Sequence, residues 1–243
     1  MYLASIRVRY VARGVVYPHD GVKDRPMARG DPRSRTRGIP SGWLFIWQGI
    51  ERDRVSGSSG SMTAYERLRE LFQQRAIQFG DFTLSSGRKS RYYINSKLVL
   101  FHSEALAWLG ECLYAASADL DCQAFGGMEM GAIPMTAAVL LAYHQHGQSR
   151  EGFFVRKQAK EYGSRERLEG RVQAGDRVVV LEDVLTTGQS VAQVIEVVEA
   201  RGASVVRVVA ICDRLQGATQ TLARYDVRAL FTIRDFGLSP EEN

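Results

Sequence analysis

The stretch VVVLEDVLTTGQS, Val178 to Ser190, decides how the rest of the chain is read. Four apolar residues run straight into two adjacent acids, Glu182 and Asp183. Val184 and Leu185 follow, and then a turn, Thr186-Thr187-Gly188-Gln189-Ser190. A short continuous run of β-branched and aliphatic residues predicts a strand buried on both faces, the mark of a parallel sheet. The helical pattern GQSVAQVIEVVEARG comes next, so the acids and the turn fall at the carboxyl end of a strand. In open α/β sheets that end is where ligands gather.

The chemistry of this strand end is specific. Backbone amides from Thr186 to Ser190 lie at the start of a helix, where free N–H groups and the helix dipole favour a phosphate. The Thr and Ser hydroxyls add donors. Glu182 and Asp183 would repel that phosphate and need hydroxyl donors, a cation or developing positive charge instead. A ribose 5-phosphate meets both demands, with its phosphate in the turn and its 2- and 3-hydroxyls on the acids. The competing explanation, two solvated acids before a capped helix, does not account for both features following one buried strand.

Outward from this stretch the pattern is regular from Met62 onward. Thr63 is placed to cap a helix carrying Tyr65, Leu68, Leu71, Phe72 and Ile77 on one side. DFTLSSGRKSRYYINSK (Asp81 to Lys97) predicts two short strands around a Ser-Ser-Gly turn. Ser103 is expected to cap the helix EALAWLGECLYAASA, and CQAFGG (Cys122 to Gly127) to form a buried strand ending in glycines. A helix from about Ala132 to His146 tolerates Pro134 in its first turn. The strand GFFVRK, a polar loop from Gln158 to Gly175, and the strand DRVVVLED follow. After the helix that begins at the turn come the strand SVVRVVAICDR, a short helix near Ala218 to Arg224, and the strand VRALFTI. Strands alternating with helices predict a doubly wound, mainly parallel α/β sheet flanked by helices.

Charge separates the chain into two parts. Residues 1–61 hold 11 of the 32 Lys and Arg and 5 of the 27 Asp and Glu, a balance of +6 that leaves −1 for residues 62–243. A general nucleic-acid footprint on the main domain is therefore not expected. The first part is rich in Arg, Pro and Gly (DRPMARGDPRSRTRGIPSG, Asp24 to Gly42) and closes on SGSSGS (Ser56 to Ser61), a linker composition. We expect residues 1–61 to be a disordered, tag-like or non-native basic extension, with Met62 the natural start and residues 62–243 the folded domain. Cys112, Cys122 and Cys212 are widely spaced and form no C-x-x-C pair, as expected of reduced thiols in a cytoplasmic protein. No apolar run approaches the ~20 residues of a membrane helix.

VVVLEDVLTTGQS resembles the phosphoribosyl pyrophosphate (PRPP) motif of type I phosphoribosyltransferases. Further matches are narrower. LSSGRKSRYYINSK is similar to the N-terminal substrate segment of orotate phosphoribosyltransferases, VRKQAKEYG to their mobile catalytic loop, and CDR to the strand end that bears their orotate-contacting arginine. The resemblance covers Met62 to Leu238. It implies the type I phosphoribosyltransferase fold with a small N-terminal hood, and transfer of the phosphoribosyl group from PRPP to orotate, giving orotidine 5'-monophosphate and pyrophosphate in UMP synthesis. Mg²⁺ would be held through PRPP, with no direct protein ligand. A homodimer sharing its sites through the loop is also implied.

On the matched positions, Glu182, Asp183 and Lys160 are the expected catalytic residues. Arg156, Lys157, Lys160 and Tyr162, with Glu182 to Ser190, would bind PRPP, and the segment from Arg156 to Gly175 would close as a lid. Thr186, Arg214 and the backbone near Tyr93 and Ile94 would bind orotate, Arg214 through a charge-assisted pair with its carboxylate. Four positions depart from the pattern. Tyr162 stands where relatives usually carry histidine, Ser85 where many carry lysine, Gly131 where some carry lysine and others a glycine-rich variant, and Arg91 where proline is usual, so the site is expected to hold fewer cations. Two alternatives stay open on sequence: a phosphoribosyltransferase for another base, and a non-catalytic PRPP-binding regulator of the same fold. SSGRKS lacks the first glycine of a P-loop, and His144 and His146 point to different faces of one helix, against a metal site.

Overall fold

The computed structural model describes residues 62–83, 89–158 and 166–240. Thr63 caps the first helix, α1 (Ala64–Arg75), in a capping box: Glu66 N donates to Thr63 Oγ1 at 3.2 Å and Thr63 N to Glu66 Oε2 at 2.7 Å. A hairpin follows, β1 (Ile77–Thr83) against β2 (Lys89–Ile94), with a register irregularity between Phe79 and Phe82. Then come α2 (Lys97–Leu100), α3 (Ser103–Ala115), β3 (Ala124–Met128), α4 (Ala132–Gln145), β4 (Glu151–Val155) and β5 (Leu168–Gly170). The last part contains β6 (Arg177–Leu185), α5 (Gln189–Ala200), β7 (Ser204–Asp213), α6 (Ala218–Thr221), β8 (Val227–Thr232) and a 3₁₀ turn, Ile233–Phe236.

Six strands form one sheet in the order β5-β4-β3-β6-β7-β8, parallel except for β5. The doubly wound, mainly parallel expectation holds. The chain leaves β3 toward β4 on one side, and β6 returns to pair on the other, so the winding reverses between β3 and β6. Their carboxyl ends flank the crevice where such folds take ligands.

The strand pleat sorts the apolar residues onto two faces. Val179, Leu181, Val209 and Ile211 pack with Phe72, Leu109, Phe125 and Val139 from α1, α3, β3 and α4. Val178, Val180, Val208 and Ala210 pack with Val191, Val194, Ile195 and Val198 of α5, which recur at i, i+3, i+4 and i+7. The hood closes at the sheet's edge. Phe72 stacks on Phe236 with centroids 5.4 Å apart, and Tyr65 Oη donates to Leu230 O at 3.0 Å. Near the amino ends of β7 and β8, the buried Arg207 guanidinium binds Asp119 at 2.7 and 3.1 Å, Asp226 at 2.7 Å and the Ala116 carbonyl at 2.7 Å.

Four sequence expectations need correction. Ile77 is not on α1; the helix ends at Arg75 and Ile77 opens β1, paired with Ile94. Ser103 is the first helical residue of α3 rather than its cap, which is His102, whose Nδ1 accepts from Ala105 N at 3.4 Å. The polar segment from Gln158 to Gly175 contains a strand, β5, whose three residues pair antiparallel with β4; a strand so short and half-exposed shows no period. Finally, β6 runs two residues past Asp183, because Val184 and Leu185 keep pairing with Cys212 and Asp213 of β7.

Candidate active site

The extension of β6 sets the geometry of the two acids. They lie within the strand, so the pleat turns Glu182 and Asp183 to opposite faces. Asp183 is gripped from a distant segment. Ser96 Oγ donates a short hydrogen bond to Asp183 Oδ2, and Lys97 Nζ stands 3.5 Å from the same oxygen. Gly131, which precedes α4, packs directly on that carboxylate. A Cβ there would meet Asp183 Cγ at 2.5 Å and its oxygens at 2.6 and 2.7 Å.

Burial pushes the Glu182 carboxyl up to about 8; the Asp183 charge adds to the rise, while Lys97 and Lys157 oppose it. Sequence reasoning treats both as ionised acids, since depth of burial is not visible in an adjacent pair.

The turn follows the last strand pair. Thr186 is half-buried, while Thr187, Gln189 and Ser190 are exposed. Gly188 has φ +83° and precedes α5; its carbonyl accepts from Ala192 N at 2.9 Å. A side chain there would be strained and would crowd Leu222, whose Cγ lies 3.1 Å from the Cβ position. The first N–H groups of α5 have no partners within the helix and present a site for an anion.

Other expected residues are only partly gathered here. Arg214 is tied to the end of β6, its N donating to Leu185 O at 2.9 Å. Its buried guanidinium lies 4.9 Å from the ring centroid of Tyr92. Tyr93 faces the other side of the hairpin, 42% exposed and against Phe82, and Ile94 is buried. The aromatic neighbour of Arg214 is therefore Tyr92. Arg156, expected in a cation cluster, pairs with Glu169 Oε1 at 3.0 Å, because β4 and β5 place the two side by side. Lys157 N donates to Glu129 Oε1 at 3.0 Å, which ties the start of the expected lid to the β3–α4 connection. The segment expected to form a lid does not extend unbroken from Arg156 to Gly175, since Arg156 N donates to Arg167 O at 2.8 Å and β5 begins at Leu168. Ser85, Lys160 and Tyr162 lie outside the described residues.

Sequence reasoning misses Ser96, Lys97 and Glu129. Ser96 and Lys97 end the substrate segment LSSGRKSRYYINSK, but no spacing rule joins them to Asp183, 87 and 86 residues later. Gly131 has a physical reason that sequence does not supply, namely the carboxylate packed on its Cα. Among the described residues no group of three or more His, Cys, Asp or Glu side chains could hold a metal ion, and no helix is long and apolar enough to cross a membrane. His146 instead stacks on Tyr114 at 3.8 Å and bonds Glu111 at 3.1 Å.

Comparison with known proteins agrees with this geometry. The phosphoribosyl transferase domain family matches residues 144–238. The orotate phosphoribosyltransferase of Rhodopirellula baltica is 37% identical over 178 residues, 70% of this chain and 92% of that protein. The crystal structure of the Mycobacterium tuberculosis orotate phosphoribosyltransferase with Fe(III) dicitrate superposes with a TM-score of 0.65 at 33% identity, covering 72% of this chain and 99% of that one. The same M. tuberculosis enzyme in complex with 5-phospho-α-D-ribosyl 1-diphosphate gives 0.61 at 31%, covering 72% and 99%. With its acids, turn and arginine at the carboxyl ends of a type I phosphoribosyltransferase sheet, the chain belongs to the orotate phosphoribosyltransferase family.

Proposed function

We propose that the protein transfers the 5-phosphoribosyl group from PRPP to orotate, giving orotidine 5'-monophosphate and pyrophosphate. One observation carries this reading: a single strand end holds Glu182, Asp183, the phosphate turn and, through the Leu185 carbonyl, Arg214. The 5-phosphate sits on the amides and hydroxyls of Thr186 to Ser190. Asp183 accepts from the ribose hydroxyls and supports the positive charge that grows on the ring as pyrophosphate leaves. Glu182, protonated at neutral pH before substrate binds, offers the hydroxyls both a donor and an acceptor. Arg214, backed by the Tyr92 ring, pairs with the orotate carboxylate, and Thr186 hydrogen-bonds the base.

Lys157, Lys160 and Tyr162 act on the pyrophosphate side, with Arg156 reaching it only if its pair with Glu169 opens. Mg²⁺ would be held through the oxygens of PRPP, with no direct protein ligand. Bound in that way, the ion would offset negative charge on the departing pyrophosphate, beside Lys157. Closure of the lid excludes water from the activated ribose.

The active unit is a homodimer with sites shared through the lid. Phe101 and Met130, 72% and 59% exposed, line one apolar cleft with Leu106 and Ile133, beside the Glu129–Gly131 connection that backs Asp183. Residues 62–243 form the catalytic domain, and residues 1–61 lie outside it. Three buried free thiols support a reducing, cytoplasmic setting.

Loss of orotate absorbance on adding PRPP and Mg²⁺, run beside a panel of other bases, tests the reaction. Turnover of a purine base but not orotate would overturn it. Mixing Lys160→Ala and Asp183→Asn proteins, each strongly impaired alone, should restore part of the activity. No recovery despite verified subunit exchange would remove the shared site.

A further inference from the structure

We infer that Ser96 and Lys97 are positioning residues for the Asp183 carboxylate, and that Lys97 supplies the fixed positive charge of the acid pair. The inference rests on the phosphoribosyl-transfer reading, in which Asp183 lies against the ribose. Three contacts from two other segments converge on this one side chain. Ser96 Oγ donates to Oδ2, Lys97 Nζ lies 3.5 Å from Oδ2, and Gly131 packs flat on the carboxylate. The Ser96 hydrogen bond and the Lys97 charge both fall on Oδ2 and leave Oδ1 as the oxygen available to a ribose hydroxyl.

The segment that carries the donors is rigid. Ser96 is buried, and Val99 and Leu100 of α2 are sunk in the core. Asn95 N donates to Ala76 O at 2.8 Å, and the Ser96 carbonyl accepts from Val99 N and Leu100 N at 2.9 Å each. Sites built on such a support hold their geometry better than sites on loops. Lys97, like Leu98 beside it, is exposed, with 52% of its side chain accessible. The core does not need it, which separates a charge role from a packing role.

Among the described residues, few charges face the pair. Glu182 and Asp183 lie on β6, Lys97 approaches from α2, and Lys157 from the end of β4. Of the two cations, Lys97 is the one within 4 Å of Asp183. A fixed cation beside two adjacent acids offsets their charge and holds the Asp183 carboxylate in place to face a cationic ribose.

The test uses the full chain with Lys97→Met, Lys97→Arg and Ser96→Ala. Carboxyl titration of the free protein by ¹³C NMR requires no turnover; steady-state kinetics give kcat and the KM for PRPP. Lys97→Met should move the Glu182 titration to higher pH and lower kcat about fivefold, with a smaller change in KM. Lys97→Arg should restore the titration and most of kcat. Ser96→Ala should lower kcat by about tenfold. A wild-type titration or a wild-type kcat in Lys97→Met overturns the inference. So does a Lys97→Arg protein that fails as Lys97→Met does while its melting temperature also drops, which would mark a packing role. If the wild-type protein does not turn over orotate, the proposed reaction falls, and the titration still decides the charge assigned to Lys97.

Discussion

Gly131 lies so close to Asp183 that an added methyl group would stand 2.5 Å from the carboxylate carbon. The backbone at Gly131 is helical, with φ −62°, so an alanine there meets no conformational strain of its own. Its whole cost falls on the Asp183 side chain, which must swing away from Ser96 and Lys97. Gly131→Ala is expected to lower kcat by roughly 10²-fold, the scale of an ångström-sized misplacement. The melting temperature should change little. Kinetics beside a thermal scan check this, and a loss of stability without loss of kcat would show that the carboxylate has room to yield.

Asp183→Asn keeps the shape and the contact with Ser96 but removes the charge. If the carboxylate supports positive charge in the transition state, kcat should fall by roughly 10²-fold, or about 2.7 kcal/mol, with a much smaller change in KM for PRPP. Weaker PRPP binding with an intact kcat would reduce Asp183 to a binding group.

The raised Glu182 pKa has a consequence for stability. Its folded value of about 8 exceeds the ordinary 4.5, so between these pH values the folded protein holds a proton that the unfolded chain has released. Stability contributed by this group is therefore present below pH 4.5 and is lost as pH rises toward 8. Glu182→Gln removes that loss. Its melting temperature should exceed that of the wild type by roughly 5 °C at pH 8, with the gap closing near pH 5. Thermal scans across this range decide it, and parallel curves would show that Glu182 titrates normally.

Gly188 tests the phosphate turn. Its φ is +83°, and a Cβ added there would lie 3.1 Å from Leu222 Cγ. Gly188→Ala should therefore cost about 1–2 kcal/mol and displace the amides that open α5. The KM for PRPP should rise first, by about tenfold, before kcat is affected. An unchanged KM in a destabilised protein would place the phosphate elsewhere.

How much of this is legible along the chain follows from the range of the forces involved. The strand–acid–turn–helix unit from Val178 to Ser190 is readable because each part is local. Val178 to Leu181 are apolar on both faces, Gly188 frees the turn, and Val191, Val194, Ile195 and Val198 repeat at the helical period. Thr63 and Glu66 announce their helix in the same way, through groups three residues apart. The alternation of such units is enough for a doubly wound sheet, and with it for the end of the sheet that bears the site.

Tertiary structure alone decides which side chains meet there. Ser96 and Lys97 reach Asp183 because the hood delivers them to the end of β6, a contact that no local period encodes. Tyr92 rather than Tyr93 meets Arg214 because the hairpin's register turns one ring inward and the next outward. Arg156 is drawn to Glu169 by β5, an edge strand too short to leave a pattern. The Glu182 pKa rises because the finished sheet and its neighbours take the carboxyl largely out of water and set it beside Asp183. Sterics and burial periodicity act between residues a few positions apart, and so they are written along the chain. Hydrogen bonds, ion pairs and desolvation at the site act across strand order, and they exist only once the sheet has formed.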